Sequence, residues 1–213
     1  MRPTAAVSRR DVNREIRHAM YGETARKAIG TIHKDIELFC LCKGQFSIIN
    51  VIEEVLKQTG RADVIISTWT AANAEIKKAE KFLGNGLINK LHFIVDRSFK
   101  TRQVKYYDML VEKFGNVVSE TNSHAKFILI SNDQWKIVIR TSMNLNENKR
   151  LENFEISNCD ALFGYLSDVA TEIMNVDYTY FDFKDFGTQG LLVKYRIQDG
   201  DNNHPEMEEI DFS

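Results

Sequence analysis

Ser123-His124-Ala125-Lys126-Phe127-Ile128-Leu129-Ile130-Ser131 sets two polar side chains, two residues apart, ahead of an apolar run. On an extended chain, alternation points His124 and Lys126 to one face, about 6.6 Å apart along the strand. The apolar run predicts a buried strand over Ala125–Ser131. Asn132-Asp133-Gln134 is turn chemistry, and Trp135–Thr141 is again strand-like, so the pair reads as a hairpin. Thr141-Ser142-Met143-Asn144 closes it, and a further strand is expected over Asn153–Asn158.

Upstream, β-like and helical patterns alternate. Ile36–Cys42, Ala62–Thr68 and Ile88–Val95 are apolar, β-branched runs that read as strands. Ser47–Gln58, Ala71–Leu83 and Thr101–Phe114 repeat apolar residues at helical spacing and end at Gly60, Gly84 and Gly115. Residues 9–30 read as a basic helical segment and Ala161–Met174 as a final helix. This order predicts an α/β fold, a mixed and largely parallel sheet with helices on both faces. There is no internal repeat, so the chain holds one copy of whatever site it carries.

His-x-Lys alone is equally a surface strand with two polar residues. Followed by Ser142-x-Asn144 and then Asn153-Phe154-Glu155, it resembles the phospholipase D superfamily, whose pattern is H-x-K, D, G-S-x-N and a later N-x-E. The match spans about residues 123–156. Ser131 stands where that family has aspartate, and Thr141 where it has glycine. The interval from His124 to Asn144 is three residues longer, the excess falling in the hairpin turn, where insertion is tolerated.

The resemblance implies an αβα sandwich and a two-step phosphoryl transfer with no cofactor and no metal. His124 attacks phosphorus, while a second histidine protonates the leaving oxygen and then activates water. Lys126 and Asn144 hold the nonbridging oxygens, Ser142 adds a hydrogen bond or shapes the loop, and Glu155 orients a histidine ring. Ser142 and Glu155 are equally explicable as a turn serine and a strand-face glutamate. One chain supplies one such histidine, so the chemistry implies a homodimer with the site on its two-fold axis.

Arg97, Lys100, Arg102 and Lys105 cluster after the third strand, and Lys149-Arg150 follow Asn144. They suit a nucleic-acid backbone, DNA more than RNA, or a solvated surface. The expected activity is that of a nuclease-like phosphodiesterase. A catalytically silent nucleic-acid-binding or assembly protein on the same scaffold is the alternative, and a phospholipase a third reading.

The ends differ in charge. Residues 1–30 carry Arg2, Arg9, Arg10, Arg14, Arg17, Arg26 and Lys27 against Asp11, Glu15 and Glu23. Residues 199–213 carry Asp199, Asp201, Glu206, Glu208, Glu209 and Asp211 with no Lys or Arg. The divisions are a basic segment (1–30), a catalytic domain (31–176), an aromatic arm (177–198) with Tyr178, Tyr180, Phe181, Phe183 and Phe186, and a disordered acidic tail (199–213). No apolar run is long enough for a bilayer and no signal peptide is evident, which leads to an expected cytoplasmic location without a membrane partner. Cys40, Cys42 and Cys159 suit a reducing compartment, the first two as buried thiols. His33-Lys34-Asp35 places His and Lys on opposite faces and reads as an exposed connection, and His92 as a sheet histidine.

Overall fold

The computed structural model describes residues 14–20 and 22–175, and it gathers their strands into one eight-stranded sheet. The strands are β1 (Glu15–His18), β2 (Glu37–Cys42), β3 (Ala62–Thr68), β4 (Ile88–Asp96), β5 (Val118–Thr121), β6 (Phe127–Ser131), β7 (Lys136–Thr141) and β8 (Glu152–Asn158). Their spatial order is β1-β2-β8-β7-β6-β3-β4-β5. Pairing is parallel between β1 and β2, β3 and β4, and β4 and β5, and antiparallel at the other contacts. The sheet is therefore mixed: β6 and β8 run one way and all the other strands the opposite way. The parallel pairs sit at its two ends and the antiparallel ladder in its middle.

Alternation along the central strands feeds two cores. Val64, Ile66, Phe93, Val95, Ile128, Ile130, Ile137, Ile139, Phe154 and Ile156 face a large apolar layer. It is covered by α1 (Ala25–Ile29), α2 (Ile48–Thr59), α3 (Asn73–Gly84) and α5 (Val104–Phe114). Ile94, Phe127, Leu129 and Val138 point the other way, against Ala170 and Ile173 of α6 (Asp160–Asn175). Helices thus lie on both faces, as the alternating pattern requires. Sharp breaks bound these elements. Ser47 starts α2 with its backbone N–H on Asn50 Oδ1 at 3.1 Å, and Gly60 ends it at a φ of +87°.

Three local expectations are corrected. Among the described residues of the 9–30 segment, Ala25–Ile29 is the helical part, and Glu15–His18 is an edge strand. Arg17 fastens that strand to the last turn of α1 by donating to the Ile29 carbonyl at 2.7 Å. Val118–Thr121 forms β5, a second short edge strand that the sequence reading left out. The helix expected over Thr101–Phe114 is broken into α4 (Phe99–Arg102) and α5, because Gln103 leaves helical geometry at φ −142°. Its side-chain oxygen instead accepts the Thr70 hydroxyl at 2.6 Å. The aromatic arm and the acidic tail, like the first thirteen residues, lie outside the described residues.

Candidate functional site

The strand directions bring the carboxyl ends of β3, β4, β5 and β7 to the same rim as the amino ends of β6 and β8. In α/β sheets that rim is the usual place for a ligand. His124 and Lys126 sit there, in the extended segment just before β6. Side chains at the ends of β3 and β4 hold that segment. Asp96 Oδ2 accepts the Ser123 N–H at 3.2 Å, and the Ser67 hydroxyl donates to the Ala125 carbonyl at 2.9 Å.

His124 is exposed. Its ring lies 5.1 Å from that of Trp69, tilted by 58°. The Lys126 ammonium is 3.2 Å from His124 Nδ1 and also donates to the His124 carbonyl at 3.1 Å. Burial pushes the pKa of Lys126 below the ordinary lysine value, and the carboxylate of Glu152 acts against that shift. A half-buried ammonium fixed beside an exposed imidazole is suited to an anion that arrives from solvent.

The segment after β7 completes the rim. Thr141 uses its hydroxyl twice, donating to the Asn153 carbonyl at 2.7 Å and accepting the Met143 N–H at 2.9 Å. The Leu145 N–H donates to Thr68 Oγ1 at 3.1 Å, and Ala72 N–H to the Leu145 carbonyl at 2.9 Å, so β3 anchors both this loop and the His124 segment. Asn144 Oδ1 is buried with no hydrogen-bond partner among the described residues. An unpaired buried amide oxygen costs about 1–3 kcal/mol, which is the kind of local expense that functional sites retain. Gly44, at φ +67°, comes so close to this loop that an added Cβ would stand 1.6 Å from the Asn148 carbonyl oxygen.

The glutamate nearest this cluster is Glu152. Ser142 hydrogen-bonds to Glu152 Oε2 through its hydroxyl, which also accepts the Asn153 N–H at 2.9 Å. Glu155, the glutamate singled out in the sequence, instead forms an ion pair with Arg140 across the β7–β8 ladder. The literal Asn153-x-Glu155 spacing hid this. Residue 152 opens β8 at the rim, whereas residue 155 is a turn of the pleat further in. Trp69 and Asp96 were also missed; each reaches His124 or its neighbour from a distant part of the sequence, without a local signal.

The basic residues divide. Arg102 comes to the site, its guanidinium carbon 3.5 Å above the Trp69 ring centroid. Lys100 pairs with Glu120 at 2.7 Å. Arg97 ends the β4 connection on the same rim, its charge also felt by Glu120. Lys105 is exposed on α5, and Lys149 and Arg150 are exposed on the β7–β8 connection.

Both departures from the family pattern fall where they do not meet the imidazole. Ser131 pairs with Asp63 at the opposite end of β6, about 17 Å along the strand from Lys126. Thr141 pins the loop as described. His33 pairs with Glu15 at 3.1 Å, and Lys34 stacks on Trp135 at 3.7 Å, beside the hairpin on the opposite rim. His92 meets the Ser119 hydroxyl at 2.9 Å, and burial lowers its pKa. Cys40 and Cys42 are fully buried free thiols, and burial pushes Cys40 up to about 11. Among the described residues no group of three or more His, Cys, Asp and Glu could hold a metal ion, and no helix is long and apolar enough to cross a membrane. A cavity of about 630 Å³ lies away from His124, beside α1 and α2; five carboxylates (Glu23, Glu53, Glu54, Glu75 and Glu147) outnumber Arg26 and Lys57 in its lining, which makes it a poor place for a phosphodiester.

No protein-family profile and no curated protein matches the chain. Solved structures similar to it include NucT from Helicobacter pylori, with a TM-score of 0.49 and 13% identity over 65% of this chain and 96% of that one. A polyphosphate kinase from Porphyromonas gingivalis has a TM-score of 0.46 and 11% identity over 64% of this chain. A phosphatidylserine synthase from Haemophilus influenzae has a TM-score of 0.42 and 20% identity, again over 64%. The similarity spans 26% of the kinase and 37% of the synthase.

Proposed function

We propose that this chain is a metal-independent phosphodiesterase acting on nucleic acid, working as a homodimer that pairs two copies of the His124 rim around one phosphate. The observation that carries the reading is the meeting of His124, Lys126, Ser142, Asn144 and Glu152 on one rim, from segments that the sequence keeps apart.

In the first step a ring nitrogen of His124 forms a bond to phosphorus as the bond to the leaving oxygen breaks. The second copy's histidine gives that oxygen its proton. In the second step the same histidine takes a proton from water, the water oxygen bonds to phosphorus, and the N–P bond breaks. Lys126 and the Asn144 amide neutralise charge building on the nonbridging oxygens. Lysine supplies the positive charge that a divalent ion would otherwise bring. Glu152 holds Ser142 and sustains the charge of Lys126, a role different from the histidine-orienting one expected of Glu155. Exposed Lys149, Arg150 and Arg102 on the same rim favour a polyanionic substrate. Ser131, the departure that most favours a silent protein, is too far along β6 to affect the imidazole.

The test is hydrolysis of DNA, RNA and anionic phospholipid vesicles by the purified protein in excess chelator, with His124→Ala as control. Chelator-resistant nucleic-acid cleavage that is lost in His124→Ala supports the assignment. Cleavage that disappears with chelator and returns with Mg²⁺, or that survives in His124→Ala, overturns it.

A further inference from the structure

Trp69 follows the last residue of β3, and its half-exposed indole is the group packed against the His124 ring, 5.1 Å between centroids. A second group lies on the indole. The Arg102 guanidinium carbon stands 3.5 Å from the ring centroid, the separation of two stacked planes. Arg102 keeps that pose through neutral acceptors, Nε donating to Ser98 Oγ at 2.8 Å and Nη2 to the Trp69 carbonyl at 3.1 Å. It is exposed and pairs with no carboxylate among the described residues. Ser98 is set in turn by Asp96, which accepts its N–H at 3.0 Å and whose other oxygen accepts the N–H of Ser123, next to His124. One carboxylate thus fixes both the imidazole segment and the cation on the indole. The sheet needs none of this: Trp69 lies outside β3 and outside the two buried cores.

The geometry points to a stacking shelf: we propose that the Trp69 indole takes the nucleobase next to the scissile phosphate on the face that Arg102 now covers, so that the site selects unpaired nucleotides. This rests on the phosphodiesterase reading above and names its substrate. A phosphate held at His124 and Lys126 leaves its neighbouring base one sugar away, within reach of a ring that touches the imidazole. The indole already carries one flat cationic group on a face, so it has the clearance for a base. The incoming base takes the place of Arg102, and the released guanidinium, held only by neutral acceptors, turns to the phosphate chain. In a duplex the bases are stacked on one another and cannot lie on the shelf without being flipped out. Stacking of this kind tolerates any base, so the shelf selects strandedness and not sequence.

The test compares a single-stranded oligonucleotide, the same strand with an abasic sugar beside the cleaved phosphate, and the matching duplex. The wild-type chain is expected to cleave the first with a KM roughly ten- to a hundredfold below that for the abasic strand. Trp69→Leu should remove that difference by raising KM for the intact strand toward that of the abasic strand, and Trp69→Phe should keep most of it. Equal KM for intact and abasic strands in the wild type overturns the shelf. So does a Trp69→Leu loss shared equally by both strands, which makes Trp69 a support for His124 alone. Preference for phosphatidylcholine vesicles over oligonucleotide overturns it too, since a quaternary ammonium would then be the group on the indole. Binding is read separately in His124→Ala, Trp135→Phe, where Trp69 is the remaining tryptophan. Fluorescence quenching by the intact strand and not by the abasic strand supports the shelf even if no cleavage is found in any substrate, a result that would sink the phosphodiesterase reading by itself.

Discussion

Lys126 Nζ lies 3.2 Å from Nδ1 of His124 and 3.1 Å from the His124 carbonyl oxygen. An ammonium has only N–H groups to offer, so Nδ1 is the acceptor and a neutral ring carries its proton on Nε2. In the free protein the cation proposed to hold phosphate is therefore engaged by the ring proposed to attack. On that mechanism, phosphate has to draw Lys126 away from Nδ1 before the imidazole attacks.

Nitrogen-15 shifts of labelled His124 should show the Nε2–H tautomer in the free protein at neutral pH, and orthovanadate should change them by capturing Lys126. A ring protonated on Nδ1 in the free protein would contradict this arrangement. Lys126→Ala should leave the fold intact and lower kcat/KM about a hundredfold or more.

The alkaline side of the pH–rate profile should belong to Lys126. The cationic form is required, so activity is present below its pKa and lost as pH rises through it. Burial lowers that pKa, which puts the loss below the ordinary lysine range, and Glu152 holds it up. Glu152→Gln should therefore move the alkaline limb to lower pH. A limb that stays in place or moves up would show that Glu152 does not act on Lys126.

A shared site makes activity depend on assembly. In mixtures of wild-type and His124→Ala chains, the mixed dimers should be inactive or nearly so, because one histidine cannot both attack phosphorus and protonate the leaving group. Activity against mixing ratio should follow the square of the wild-type fraction. A linear dependence, or full activity in a stable monomer, would defeat the two-fold site.

Gly44→Ala should cost about 2 kcal/mol or more, lowering Tm by about 4–8 °C. The added carbon would stand 1.6 Å from the Asn148 carbonyl at a positive φ, so the β7–β8 connection must shift. Activity should fall beyond the stability loss, because that connection joins the Asn144 loop to Glu152. Unchanged Tm would mean that the two loops are not in contact.

What the sequence disclosed follows from how far each signal reaches. β3, β4, α2 and α3 are long and strongly patterned, and the two helices end at glycines, so their bounds are visible in one dimension. The four-residue strands β1 and β5 are not, since EIRH and VSET owe their extended form to a neighbour on one side. His124, Lys126 and Asn144 could be picked out because their spacing is local. Glu152 was hidden by a better literal match three residues on, and Trp69 and Arg102 by their separation from His124 along the chain.

The hairpin opposite the rim offers a practical handle. Asp133 is exposed at its tip, while Asn132 closes the turn by accepting the Gln134 and Trp135 N–H groups at 3.0 Å. A thiol introduced as Asp133→Cys would tether the molecule to a surface with His124 facing the solution. Cys40 and Cys42, fully enclosed, would not compete for maleimide, which leaves Cys159 as the described native thiol to be replaced before single-molecule imaging.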